Sequence, residues 1–311
     1  MIAETTVVIE KPEPPRSLSP TSASAWQQCE LRYALTYLAG WQEPSTLPQL
    51  IGNVVHRSVE LLYGIDPATR SRSAASELLD AALDVELRNP TYQVLLGRSD
   101  PRASVMSSGE DALDGLFELE DPAYVTVDPT GLEVWVQAEL YGAPIRGRID
   151  RLYDAQGAEV VADYKTGRVP KPIYTRKAFF GLWTYAAGLA AADPDHQLAD
   201  RIELLYLGGR ERLSRPVLRT VALEQARVLA SIWREILRAA SSGRFLARRS
   251  RLCDWCAFQP ACPIFQSVPA PGTADHDARL RAGGLRQRER RAVAESIERV
   301  PESAEIEGVS P

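Results

Sequence analysis

Two runs of alternating apolar and polar positions mark the middle of the chain. Ile145 to Tyr153 and Glu159 to Lys165 flank Asp154-Ala155-Gln156-Gly157, a turn-rich break, and together they predict a β-hairpin. Successive strand side chains point to opposite faces, so Asp163 and Lys165 project together with Val161, and antiparallel pairing brings Asp150 beside Asp163. Leu132 to Leu140 alternates as a further strand and meets Ile145 across Tyr141-Gly142-Ala143-Pro144. Arg201 to Leu207 reads as a strand and Pro216 to Val221 as a weaker one.

Helical spacing accounts for most of the remainder. Thr21 or Ser22 caps a helix with Trp26, Leu31, Tyr33, Ala34, Tyr37 and Leu38 at roughly helical intervals. A second amphipathic helix opens after Gly52, with Val55, Val59 and Leu62 on its apolar stripe. Segments near Ala74 to Leu87 and Ser108 to Leu119 form a helical insertion over residues 70–125, and the run Phe179 to Ala192 and then Glu224 to Ala240 give two more helices. Helix, three antiparallel strands, helix and strand is the order of an α/β fold with a central mixed sheet flanked by helices. Residues 1–18, with Pro12, Pro14 and Pro15 among charges, are expected to be a flexible arm. A catalytic domain is expected over 19–266 and a charged tail over 267–311, with a surface helix from Leu280 to Val300.

At 311 residues and 45% hydrophobic content the chain can bury a sizeable core. Its net charge of -5 confines any nucleic-acid site to a local basic patch and weakens a passive coating role. No apolar run is long enough to span a bilayer, and the first sixteen residues are acidic and Pro-rich, which predicts a cytoplasmic protein with no membrane partner.

Two carboxylates and an ammonium in one place suit a hard divalent cation and a phosphodiester, with Mg²⁺ or Mn²⁺ held by Asp150 and Asp163 and with Lys165 orienting the nucleophile or neutralising charge. An Asp-x-Lys alone is more often an exposed ion pair, so its company decides. His56 and Glu60 share one helix face, where His56 is a candidate ligand or a plain surface histidine. Glu133 is either a further acidic residue of the site or an exposed edge carboxylate, the second being slightly favoured. Arg168, Lys171, Arg176 and Lys177 follow the Asp-x-Lys strand, and Arg244, Arg248, Arg249 and Arg251 precede a cysteine cluster; both groups are candidate contacts to a phosphate backbone. No GxxxxGK[ST] loop is present, so ATP-driven unwinding by that route is absent.

Cys253, Cys256 and Cys262 lie in RLCDWCAFQPACP, and Cys29 completes the chain's four cysteines. One site using all four closes a very long loop. Zinc and a 4Fe-4S cluster both accept four thiolates, and one distant cysteine with a compact triplet leans toward iron-sulfur.

These motifs, in this order, resemble the RecB-type branch of the PD-(D/E)XK nuclease superfamily, with its iron-sulfur exonucleases such as the AddB nuclease domain and CRISPR-associated nucleases. SPTSASAWQQC supplies the first cluster cysteine, GNVVH the histidine, GRID the first carboxylate and ADYKTG the second carboxylate with its lysine. CDWCAFQPAC completes the cluster. The resemblance implies a restriction-endonuclease-like core and a catalytic set of Asp150, Asp163 and Lys165. It implies metal ligation by His56, Asp150, Asp163 and the Tyr164 backbone carbonyl, and a 4Fe-4S cluster on Cys29, Cys253, Cys256 and Cys262. It further implies exonuclease action on single-stranded or frayed DNA ends in repair or recombination, with a separate helicase or repair protein as partner. Where the family carries Gln four residues before the helix tyrosine, here Tyr185, this chain has Gly181, and Tyr185 is a further candidate DNA contact. A non-catalytic DNA-binding scaffold and a redox-responsive regulator are the alternative readings.

Overall fold

The computed structural model describes residues 4–9, 12–92, 95, 100–193 and 195–265. The elements begin with β1 (Glu4–Val8), α1 (Pro20–Gln28), α2 (Glu30–Tyr33), α3 (Leu47–Gly64), α4 (Arg72–Leu87) and α5 (Arg102–Leu119). They continue with β2 (Leu132–Leu140), β3 (Ala143–Asp154), β4 (Glu159–Lys165), α6 (Thr175–Ala178) and α7 (Phe180–Ala192). Last come β5 (Arg201–Tyr206), β6 (Glu211–Pro216), α8 (Arg219–Ser242) and β7 (Arg244–Arg248). The chain divides into two compact units, one from residues 1–15, 25–43 and 236–311, the other from 16–24 and 44–235. Among the described residues no helix is long and apolar enough to cross a membrane.

The larger unit is built on a five-stranded sheet in the order β2-β3-β4-β5-β6, with β4 and β5 parallel and the other neighbours antiparallel. This is the mixed α/β sheet that the alternation predicts. Helix α3 starts at Leu47, earlier than the break at Gly52 predicts, because Thr46 and Gln49 form a reciprocal capping box ahead of Pro48. The expected helical insertion is integral to the core: Leu79 and Leu83 of α4 and Leu113 and Leu116 of α5 belong to one buried cluster with Val160, Ala162 and Leu205. The weaker strand expected at Pro216 to Val221 forms instead at Glu211–Pro216. Val217 and Val221 carry a strand-like composition, but the Val221 and Ala222 amides already donate to the Leu218 carbonyl as α8 begins.

Close packing of α5 fixes one glycine. A Cβ on Gly115 would stand 1.9 Å from the Leu207 carbonyl oxygen, backbone that cannot step aside. Alanine normally favours a helix interior over glycine by about 1 kcal/mol. Here Gly115→Ala is expected to destabilise by ~1–3 kcal/mol, read as a lower urea midpoint; an unchanged or raised midpoint would contradict this packing.

In the smaller unit β1 pairs antiparallel with β7, Val7 opposite Phe245 and Thr5 opposite Ala247. Residues 4–8, expected within a flexible arm, are thus strand, and Ile9 donates to the Gly243 carbonyl at 2.8 Å. Val7, Leu31, Leu35, Trp41, Ala247, Phe258 and Ala261 form its core, with Cys29, Cys256 and Cys262 packed against it. Glu30 accepts the Leu246 amide at 3.0 Å and so ties α2 to β7. The charged tail and the surface helix expected at Leu280 to Val300 lie outside the described residues.

Candidate metal centre

The hairpin places the first carboxylate by ceasing to pair. β3 and β4 are in register from Asp154↔Glu159 to Arg151↔Ala162, and no further. In the gap beyond, the Asp150 carboxylate accepts the Tyr164 amide at 2.8 Å, taking the place of a backbone acceptor. The alternation therefore foresees the neighbourhood of Asp150 and Asp163, while the opening between their strands is visible only in three dimensions. From α3, His56 brings Nδ1 to 3.3 Å from the same Asp150 carboxylate, and its ring meets Tyr164 edge-on at 6.2 Å between centroids.

For Glu133 the structure favours the other of the two readings that the sequence leaves open. Its side chain is only 14% exposed rather than sitting on a solvated edge, and it forms an ion pair with Arg148. It stands opposite Asp150, between the pairs Leu132↔Arg151 and Val134↔Ile149, with a left-handed φ of 50°. A non-glycine residue there costs on the order of 1–2 kcal/mol. His56, Glu133 and Asp150 each offer a ligand atom within 4.8 Å of the others. Two carboxylates and an imidazole this close together offer a divalent cation a partial donor set, the remaining positions being left to water and substrate. Asp163 is outside that trio; its carboxylate takes the Lys165 ammonium in an ion pair.

The electrostatics follow from crowding like charges in a buried place. Burial raises the Asp163 carboxyl above the usual range, and Lys165 pulls against that shift. Burial and the neighbouring Asp150 push Glu133 up to about 7. Burial opposes ionisation of Asp150 as well, but His56 and the Tyr164 amide prevail and hold it low. Burial likewise opposes charge on His56 and on Lys165; Asp150 overcomes it for the first and Asp163 for the second, and both rise. Uncompensated negative charge is what a divalent cation relieves.

Behind the centre lies a buried cation. Arg151 is 0% exposed and donates to both Glu120 oxygens, at 2.6 and 3.0 Å. Its guanidinium carbon lies 4.7, 4.3 and 5.4 Å from the rings of Tyr63, Tyr153 and Tyr164. Arg212 donates to Glu120 at 2.6 Å, and Tyr63 donates to it too. This network clamps the strand positions next to Asp150 and Asp163.

The remaining candidates separate. Arg168, Lys171 and Lys177 are exposed, and Arg176 is engaged by Glu224 at 3.0 Å. Burial raises Tyr185 to about 12, and its ring occupies the space that a Cβ on Gly147 would enter. A Cβ on Gly181 would meet Pro20 at 3.5 Å, ordinary contact, so packing at the Cβ position does not require glycine there. Arg244 and Arg248 are exposed at the two ends of β7, Arg251 is exposed beyond it, and Arg249 lies 5.3 Å from the Phe265 ring. In the smaller unit Cys29, Cys253, Cys256 and Cys262 line one cavity of about 170 Å³ beside Arg32, and none is in a disulfide. Burial raises the Cys256 thiol and pushes Cys262 up to about 11.

A solved chain described as "Crystal structure of SSO0001" is similar at 13% identity, over 79% of this chain and 98% of that one, with a TM-score of 0.30. No curated protein sequence matches. The matching family model, described as the PD-(D/E)XK nuclease superfamily, extends over residues 17–263 and so takes in the whole hairpin, its carboxylates and lysine, and all four cysteines. The chain belongs to the PD-(D/E)XK nuclease superfamily.

Proposed function

We propose that this chain is a metal-dependent DNA exonuclease that hydrolyses single-stranded or frayed ends in repair or recombination. The observation that carries the reading is the convergence of His56, Glu133 and Asp150 beside the Asp163–Lys165 ion pair. His56, Glu133 and Asp150 would hold Mg²⁺ or Mn²⁺, with Asp163 and the Tyr164 carbonyl completing the set. The bound metal supplies an activated water and neutralises charge on the scissile phosphate. Asp163 keeps the Lys165 ammonium protonated and aimed across the centre, where it binds a phosphate oxygen or donates to the leaving group. Asp150 holds the Nδ1 side of His56 and so fixes the orientation of the ring. Incubating end-labelled single-stranded DNA with Mn²⁺ or Mg²⁺ tests the reading directly. Metal-dependent release of nucleotides from the end supports it, and intact DNA at every metal concentration defeats it.

The cysteine cavity takes a 4Fe-4S cluster in this reading. Four thiols lining one cavity offer the donor set that a cluster accepts, and one distant cysteine with a compact triplet leans toward iron-sulfur over zinc. Its part is structural, fastening Cys29 to the segment around Cys253–Cys262. Protein purified without oxygen is expected to carry iron and broad visible absorption, and Cys256→Ser to lose most of both. Zinc in place of iron in the anaerobic protein would remove the cluster from the account.

A further inference from the structure

One face of the β2–β3 hairpin continues outward from the metal centre. Trp135 is paired opposite Arg148, and Gln137 opposite Arg146, so these four side chains share the face on which Glu133 stands opposite Asp150. Arg148 forms an ion pair with Glu133 and lies 5.6 Å from the Trp135 ring. Arg146 lies 4.5 Å from the same ring. The contacts thus run without interruption from the metal centre to an aromatic surface.

That surface is costly unless something uses it. Trp135 is 55% exposed on β2, an edge strand of the sheet. Exposed apolar groups on edge strands invite unwanted pairing. The two guanidiniums lie over the ring and bring positive charge to it, leaving the rest of the half-exposed indole open, and among the described residues Arg146 has no ion-pair partner. An open indole flanked by cations, on a protein of net charge -5, is chemistry suited to a base and its phosphates rather than to a neutral or cationic partner.

We propose that Trp135, Arg146 and Arg148 form a stacking platform for single-stranded DNA, on which an unpaired base rests against the Trp135 ring while Arg146 takes its phosphate. The proposal rests on the nuclease reading above and gives it a substrate form. A duplex keeps its bases stacked on one another, so only a single strand or a frayed end presents a free base face to the ring. Arg148 serves two neighbours, holding Glu133 on one side and the indole on the other, and so sets the platform at a fixed distance from the centre.

The test is equilibrium binding by the full chain, with Ca²⁺ replacing Mg²⁺ to slow cleavage. The probes are a labelled oligothymidylate, a blunt duplex of the same length and an oligonucleotide with consecutive abasic sites. Trp135→Ala is expected to weaken oligothymidylate binding roughly tenfold or more, to leave the duplex within about twofold, and to match wild type on the abasic strand. Trp135→Leu keeps apolar packing without a π-face and is expected to lose as much as alanine, whereas Trp135→Phe keeps most of the affinity. Arg146→Ala is expected to reduce the salt slope of single-strand binding by about 0.7. Unchanged oligothymidylate affinity in Trp135→Ala and Trp135→Leu, or equal losses on single strand, duplex and abasic strand, overturns the platform. Should wild type cleave DNA while both variants bind normally, the platform fails and the nuclease stands. Binding through Trp135 by a wild type that never cleaves gives the reverse.

Discussion

Asp163→Asn is expected to lower metal-dependent DNA cleavage on the order of 10³-fold or more, with the fold intact. Asparagine keeps the shape of the side chain and removes the charge that pairs with Lys165. Two consequences coincide. The candidate cation loses a carboxylate beside the His56, Glu133 and Asp150 trio, and the Lys165 ammonium loses the partner that raises its pKa against burial. Because burial raises the Asp163 carboxyl, neutralising it carries little cost for folding, so thermal unfolding should move little or upward. Initial rates on end-labelled single strands under saturating Mn²⁺ provide the measurement. Cleavage within about tenfold of wild type, against the losses expected for removing a transition-state contact, would take Asp163 out of the reaction.

The largest effect on stability is expected at Arg151→Met. Methionine fills much of the space but leaves Glu120 buried without its bidentate partner, with Arg212 and Tyr63 as its remaining donors. Breaking a buried ion pair from one side costs ~3–5 kcal/mol, which would appear as a large fall in the urea midpoint. The same pair has a pH signature. Burial opposes ionisation of Glu120, and Arg151 beside it prevails, so its folded pKa lies below the ordinary carboxylate value. A depressed acid contributes stability that is present above the unfolded value of about 4.3 and is lost as pH falls through the folded one. Wild type should therefore lose stability on acidification below about pH 4.3 more steeply than Arg151→Met. Parallel acid profiles for the two proteins would show that the pair is not linked to folding in this way.

Much of the centre is legible from strand periodicity alone. Alternation in Ile145 to Tyr153 and Glu159 to Lys165 gives the hairpin, the common face of Asp163 and Lys165, and the approach of Asp150. The same alternation puts Arg151 on the apolar face with Ile149 and Tyr153, a signal easily passed over because arginine seldom lies buried. For Glu133 the alternation of β2 gives the face but not the burial. Its inward turn depends on a left-handed backbone at one strand position, which glutamate does not advertise, and on an opposing strand that draws it toward His56. β1 and β7 are less legible: Thr5, Thr6, Val7 and Val8 favour a strand, but the Pro-rich charged residues after them mask the signal, and the partner that completes the ladder lies far along the chain. β6 is displaced by five residues because valines near the start of α8 mimic a strand where a helix begins.

The smaller unit draws on both ends of the described chain, and this bears on how the protein is made. Cys29 and Leu246, in contact when folded, are separated by 217 residues. At synthesis rates of ~5–20 residues per second, the N-terminal strand and Cys29 wait roughly 10–40 s for β7 and the remaining cysteines to emerge. The sheet of residues 132–216 can form during that interval, whereas the β1–β7 ribbon and the cysteine cavity belong to the last stage of synthesis. The cavity's full set of thiols then exists only once translation has passed residue 262, and a nascent chain stalled short of that point carries the hairpin and its carboxylates without it.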